Sequence, residues 1–192
     1  MNNSSQTDET GTVENGLKKM TINFSNGAGG FILNDYWRIN EGELQFNPAG
    51  ENKSFIYYNL IEGYYLSNYI ISVKTRWIGG SDYSDQGIVF KYLNPKSYYI
   101  LALSLDRYVI VTKFNKDKWK TIKRTKIRSN TNTYDTLKVI CKGTVVECFI
   151  NERKICSFKD KSIYNTSFGV CSEGDVKCGF KDFNIEELPI ND

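Results

Sequence analysis

The side chains able to do chemistry in this chain are carboxylates, hydroxyls, thiols and aromatic rings, because its 192 residues include no histidine. That absence removes Ser-His-Asp and Cys-His nucleophilic catalysis, together with the commonest metal ligand. What remains is carboxylate chemistry, which needs two acids about 5 to 9 Å apart across a substrate cleft. Glu147 lies within the best-defined strand pattern, and its expected neighbour Lys138 makes it an ion-pair partner before a general acid. Glu41 and Glu43 flank Gly42 at a turn, and Asp82 and Asp85 share the loop Gly79 to Gln86. Solvated turns account for both pairs, although the second also offers oxygens to calcium or to hydroxyl groups. Gly27, Gly29 and Gly30 lack the following helix and the Lys-Ser/Thr pair of a phosphate loop. The five cysteines, Cys141, Cys148, Cys156, Cys171 and Cys178, form no C-x-x-C pair. Zinc ligation therefore has little support, and buried thiols are expected.

The elements that hold these groups read as extended chain. Tyr69, Ile71, Val73, Thr75 and Trp77 alternate with Ile70, Ser72, Lys74 and Arg76, the period of a half-buried strand. Short extended segments are expected from Met20 to Ser54–Asn59, with Leu60–Leu66 as the one helical turn. Gly87–Tyr92, Tyr98–Leu105, Tyr108–Phe114 and Trp119–Arg124 follow at a spacing of about ten residues. The segment Tyr134–Asn151 is expected to be a hairpin turning at Lys142-Gly143, with Val139 facing Val146, Leu137 facing Cys148, and Lys138 facing Glu147. Lys154–Phe158, Ser167–Ser172 and Val176–Ile185 complete the series. So many antiparallel strands need two sheets face to face, since an open sheet would leave one apolar face in water. The expected fold is all-β, a two-sheet antiparallel jelly-roll sandwich.

Length and composition agree. One domain over residues 18–188 is expected, with 1–17 a polar tether and 189–192 a short tail. The 25 basic and 22 acidic residues leave a net charge of +3, too balanced to steer a polyanion, so nucleic acid is not an expected partner. No run of about 18 apolar residues predicts insertion in a membrane. The first residues lack the basic start and apolar centre of a signal peptide.

The order of segments resembles the concanavalin A-like lectin/glucanase sandwiches, in particular laminin-G-like domains and 3-keto-disaccharide-hydrolase-like domains of bacteria. The likeness is carried by NDYWRIN (34–40) with Gly42-Glu43-Leu44, Ile71–Trp77, QGIVFK (86–91), SYYILAL (97–103), Trp119-Lys120-Thr121, YDTLKV (134–139), CFIN (148–151), Phe168-Gly169-Val170 and FKDFNI (180–185). The resemblance implies a concanavalin A-like sandwich, and a structural calcium to which Asp182 could contribute. The glucanase pattern E-x-D-x-x-E is absent, so the resemblance places no catalytic set. The chain departs from the family at Asn151-Glu152, where Asn-Gly is frequent, and a looser turn or one of another type is therefore expected.

Exposed aromatics beside planar polar groups suit a sugar, whose C–H face stacks on a ring while its hydroxyls find hydrogen-bond partners. The expected contacts are Arg76, Lys91, Tyr99, Tyr83 and Glu147, gathered on a concave sheet face. The function these expectations describe is glycan binding by a non-catalytic module of an exported bacterial protein, with no required cofactor and with other domains of a larger protein as further partners. The alternatives are a carboxylate-dependent glycoside hydrolase on the same scaffold and a structural interaction domain.

Overall fold

The computed structural model describes residues 10–14, 17–48, 56–80, 85–127, 133–161 and 166–189. In chain order the strands are β1 (Thr10–Glu14), β2 (Leu17–Ile22), β3 (Trp37–Asn40), β4 (Glu43–Phe46), β5 (Ile56–Leu60), β6 (Tyr69–Gly79), β7 (Asp85–Asn94) and β8 (Ser97–Ser104). They continue as β9 (Tyr108–Asn115), β10 (Lys118–Lys126), β11 (Asp135–Lys142), β12 (Val145–Ile150), β13 (Arg153–Lys159), β14 (Ser167–Glu173) and β15 (Lys177–Glu187). Among the described residues there is no helix, and Leu60–Leu66, expected as a helical turn, ends β5 and runs into an isolated bridge between Leu66 and Thr166. Within the expected tether, Thr10–Glu14 pairs with β2.

Two antiparallel sheets form the sandwich. One has the path β1-β2-β15-β6-β11-β12-β13, with β3 and β4 attached through β15; the other is β10-β9-β8-β7-β14-β5. The main core lies between them. It takes every second residue from the facing strands: Tyr69, Ile71 and Val73 of β6, Leu137, Val139 and Cys141 of β11, Leu101 and Leu103 of β8, and Phe168 and Val170 of β14. Each is buried, so the alternation read from Tyr69 onward matches the side that faces the other sheet.

The β11–β12 hairpin is present with a changed register. The turn is Gly143-Thr144, so Lys142 pairs Val145, Val139 pairs Cys148 and Leu137 pairs Ile150. Gly143, at φ 56°, takes the first central position, which lies in the left-handed region that glycine tolerates best. Every partner moves by two positions. Because side chains alternate with a period of two, the apolar faces are unchanged while each cross-strand pair is different. Lys138 therefore lies opposite Phe149, and Glu147 lies opposite Ile140.

The Asn151-Glu152 turn is tight and of the type that Asn-Gly favours, contrary to the expectation of a looser turn or one of another type. Ile150 pairs Arg153, and both turn residues have positive φ, 48° and 64°, as a type I′ hairpin requires. The Asn151 side chain accepts from the Thr136 N–H at 2.8 Å and donates to Asp135 at 2.6 Å. These bonds hold a turn that lacks glycine.

Candidate functional site

Strands β6 and β7 are consecutive in the chain but belong to different sheets. This crossing disperses the residues expected to form one site. Arg76 lies on the outer side of the larger sheet, where its Nε and Nη2 donate to the two carboxylate oxygens of Glu43, both at 2.8 Å. Glu43 has a side chain only 3% exposed. It also accepts from Gln45 Nε2 at 2.9 Å and from the Tyr134 hydroxyl. It sits where Gly179 leaves room, since a Cβ there would meet Glu43 Oε2 at 2.7 Å. The Arg76 guanidinium is therefore occupied by a buried carboxylate, which also holds its proton more firmly than usual.

Lys91 and Tyr99, expected on an open face, are each only 2% exposed. Lys91 stands at an irregularity of β7, where Phe90 pairs Tyr99 but the next pair of that ladder is Asn94 with Ser97. Its φ of 47° breaks the alternation, so Phe90 and Lys91 are both buried. The Lys91 N–H donates to the Tyr69 hydroxyl at 3.1 Å in the interior. Tyr99 stacks between Phe90 and Phe158, with centroid distances of 5.4 Å to each, and its hydroxyl donates to Asp160. Lys91 and Tyr99 are thus core residues, closed to a ligand.

Glu147 shares the outer side of the larger sheet with Arg76 and is ion-paired to Lys154. It lies level with Ile70 through Ile140, six positions along β6 from Arg76, a separation of roughly 20 Å at the rise of a strand. Tyr83 lies outside the described residues. Asp182, proposed for calcium, sits at a bulge: Lys181 pairs Lys74, the next pair is Asn184 with Ser72, and Asp182 has φ 51°. Its carboxylate is 2.7 Å from Lys74 Nζ. Among the described residues no group of three or more acidic, cysteine or histidine side chains gathers as a metal centre would require.

The structure brings a different set together, on the outer face of the six-stranded sheet. There the residues between the core positions form a second apolar layer, with Val89, Tyr98, Ile100, Ala102 and Cys171 buried and Tyr58 and Tyr92 packed against them. The registers define rows across the strands. The central row runs Arg124, Ile110, Ala102, Gly87, Cys171, Tyr58, and small residues in its middle leave a depression. At Gly87 strands β7 and β8 approach so closely that a Cβ would lie 2.1 Å from the Leu101 carbonyl oxygen.

An aromatic ridge bounds one side of the depression. Phe114 and Trp119 are 4.7 Å apart between centroids, Tyr98 lies 5.9 Å from Trp119 with its ring edge-on, and Tyr92 and Tyr58 extend the line. Trp119 is 49% exposed, although its neighbours are largely covered. The opposite side carries Asp85 of β7 and Glu173 of β14, which are direct cross-strand partners. The resulting trough has a volume of about 280 Å³ and is also lined by Thr112 and Thr121.

Two carboxylates directly opposite each other repel, and part-burial weakens their solvation. Burial first, then Glu173 and Asp106, raise the Asp85 carboxyl to about 7, with Arg124 opposing. Burial also raises Glu173. At neutral pH the pair can therefore retain a proton, which gives the trough a carboxyl donor as well as carboxylate acceptors. Arg124 stands over the Tyr108 ring at 4.2 Å and Lys126 at 5.6 Å, adding cations beside the acidic side.

Asp85 had already appeared in the Gly79–Gln86 loop as an oxygen donor, and Glu173 had no sequence signal of its own. What joins them is the pairing of β7 with β14, strands whose first residues are 82 positions apart. Trp119 and Tyr98 were visible as strand residues and as parts of the segments that carry the resemblance, and Tyr58 and Tyr92 as strand residues. Their shared face follows from the alternation, but the face that remains open follows from the sandwich.

No protein-family model matches the chain, and no curated protein matches it in sequence. Solved structures do match. A carbohydrate-binding module, CBM66 from Bacillus subtilis, aligns with a TM-score of 0.69 at 16% identity, over 82% of this chain and 96% of that one. A GH43 protein, BlXynB from Bacillus licheniformis in its K247S form, aligns with a TM-score of 0.66 at 14% identity, over 82% of this chain and 36% of that one. A Bacillus subtilis protein of unknown function with a galectin-like fold gives 0.61 at 12% identity, over 83% and 87%. The chain shares their sandwich fold. It spans about a third of the GH43 chain and nearly the whole of the other two. The expected concanavalin A-like architecture is borne out at this level, as a concanavalin A-like or galectin-like two-sheet sandwich.

Proposed function

We propose that the protein binds carbohydrate in the trough on the outer face of its six-stranded sheet, as a module of an exported protein. The observation that carries this reading is the pairing of the exposed Trp119 ring with the opposed Asp85 and Glu173 across about 280 Å³. A sugar ring stacks its C–H face on the indole, and its hydroxyls meet the carboxyl pair, Thr112 and Thr121. That volume is slightly below the usual range for drug-sized ligands, so it accommodates one or two rings of a chain that continues into solvent. The fold shared with a carbohydrate-binding module supports the same reading.

The test is Trp119→Ala on a glycan array, with circular dichroism as the folding control. Retention of a bound glycan falls about tenfold or more while the spectrum and Tm stay close to wild type, as expected for loss of one stacking platform. Unchanged retention removes the trough from the site.

The facing acids favour a second reading, glycoside hydrolysis. A retaining enzyme holds its two carboxyl groups about 5 Å apart, a spacing that side chains on direct cross-strand partners can reach, and one of them must be protonated near neutrality. Asp85 would be the acid and Glu173 the nucleophile. Release of reducing sugar by wild type, and its loss in both Asp85→Asn and Glu173→Gln, separates this reading from binding alone.

A further inference from the structure

Strands β12 and β13 place Cys148 directly opposite Cys156. Direct partners on antiparallel strands project from the same face and have Cα atoms about 4.5 or 5.5 Å apart, within the span of a disulfide. The other three lack such a partner: Cys141 lies opposite Val146 and Tyr69, Cys171 opposite Gly87 and Tyr58, and Cys178 opposite Phe46 and Trp77.

The two members of the pair have different surroundings. Cys148 is completely buried in the main core, where the neighbouring thiol and burial raise it well above an ordinary cysteine. Cys156 is half-buried on β13, the edge strand of its sheet. The Cys148 contact lowers it, burial opposes, and Lys123 of β10 adds to the lowering. An opening of about 470 Å³ is lined by Lys126 of β10 and by Ile150, Arg153 and Ile155, the last adjacent in sequence to Cys156. The ladder is irregular next to the cysteines, with Phe149 pairing Lys154 and Ile155 left over, so the edge strand has slack to adjust.

We propose that Cys156 is an oxidation site and Cys148 its resolving thiol, so that a hydroperoxide closes a reversible disulfide between β12 and β13. The Cys156 thiolate attacks one peroxide oxygen and the O–O bond breaks. Sulfur is oxidised to sulfenic acid, and the other oxygen leaves as hydroxide. Cys148 then attacks the sulfenic sulfur, an S–S bond forms, and the sulfenic oxygen departs as water with the proton from Cys148. Two thiols lose two electrons in total, and hydrogen peroxide is reduced to water. A dithiol reductant reverses the linkage. The proposal is independent of the trough and does not depend on what binds there.

The experiment treats the full chain with hydrogen peroxide, blocks remaining thiols by alkylation, and digests with trypsin. The expected product joins GTVVECFINER (143–153) to ICSFK (155–159), lighter than the two separate peptides by about 2 Da, the mass of two hydrogens. It disappears with dithiothreitol and is absent in Cys156→Ser, while Cys141→Ser forms it normally. In unoxidised wild type, Cys156 is alkylated at least tenfold faster than Cys141, a readout that needs no variant to fold. A link through any other cysteine, irreversible oxidation of Cys156 without a link, or five unchanged thiols overturns the proposal.

Discussion

Replacing Asp85 by Asn tests whether two acids share a part-buried trough, because it removes one charge while keeping the shape. The folded carboxyl titrates near about 7 against an ordinary value of 3.8. Between these values the native state keeps a proton that the unfolded chain has released, so the unfolding free energy falls as pH rises. The contribution is complete below about pH 4 and is lost by the time pH passes about 7. A displacement of this size corresponds to roughly 4 kcal/mol, and partial access of solvent reduces it to about 2 to 4 kcal/mol. Asp85→Asn should therefore match wild type near pH 4 and exceed it by that amount at pH 8. Urea unfolding followed by tryptophan fluorescence from pH 4 to 8 measures the difference directly, and subtraction cancels every group unaffected by the substitution. Glu173→Gln should reduce the same pH dependence by removing the opposed charge. A constant difference between Asp85→Asn and wild type at all pH values would refute the part-burial of Asp85 in the trough, and an unchanged pH dependence in Glu173→Gln would refute the opposed pair.

Arg76→Ala should destabilise the fold by about 3 kcal/mol, because it leaves the Glu43 carboxylate buried without its bidentate partner; Arg76→Ala/Glu43→Gln should recover part of that loss in denaturant titrations. Gly87→Ala should cost about 3 kcal/mol or more, since its Cβ meets the backbone of β8 and not a movable side chain, and a Tm within 2 °C or so of wild type would contradict the close strand approach. Asp182→Gly should change stability by no more than about 1 kcal/mol, because glycine suits φ 51° and an exposed ion pair contributes little. A large, calcium-dependent loss in thermal melts of that variant would instead support the metal role expected from the family resemblance.

Much of the architecture was legible because burial repeats every second residue along a strand. The stripe Tyr69, Ile71, Val73 and its counterpart Leu137, Val139 needed no knowledge of partners, and both stripes face the core. Register was less secure. A shift of two positions preserves both faces of a hairpin, so hydrophobic patterning could not choose between a turn at Lys142-Gly143 and one at Gly143-Thr144. The expected Lys138–Glu147 pair failed for that reason, and the charges found other partners: Lys138 with Glu152, and Glu147 with Lys154. Lys91 failed differently. A left-handed residue breaks the alternation from which its exposure was inferred, and nothing in the local pattern of QGIVFKY marks the irregularity.

By itself the sequence determined the class of fold, the sides of most strands and the chemistry excluded by the absence of histidine, since each depends on local periodicity or residue type. Tertiary structure alone decided that β6 and β7 part into opposite sheets, that Arg76 is held by a buried Glu43, and that Asp85 meets Glu173 across a trough from Trp119. Those outcomes depend on which distant strands pair. Backbone hydrogen bonds are chemically alike along every strand, so the choice among partners is made by packing of the whole sandwich, and the grouping of side chains on its open face follows from that choice.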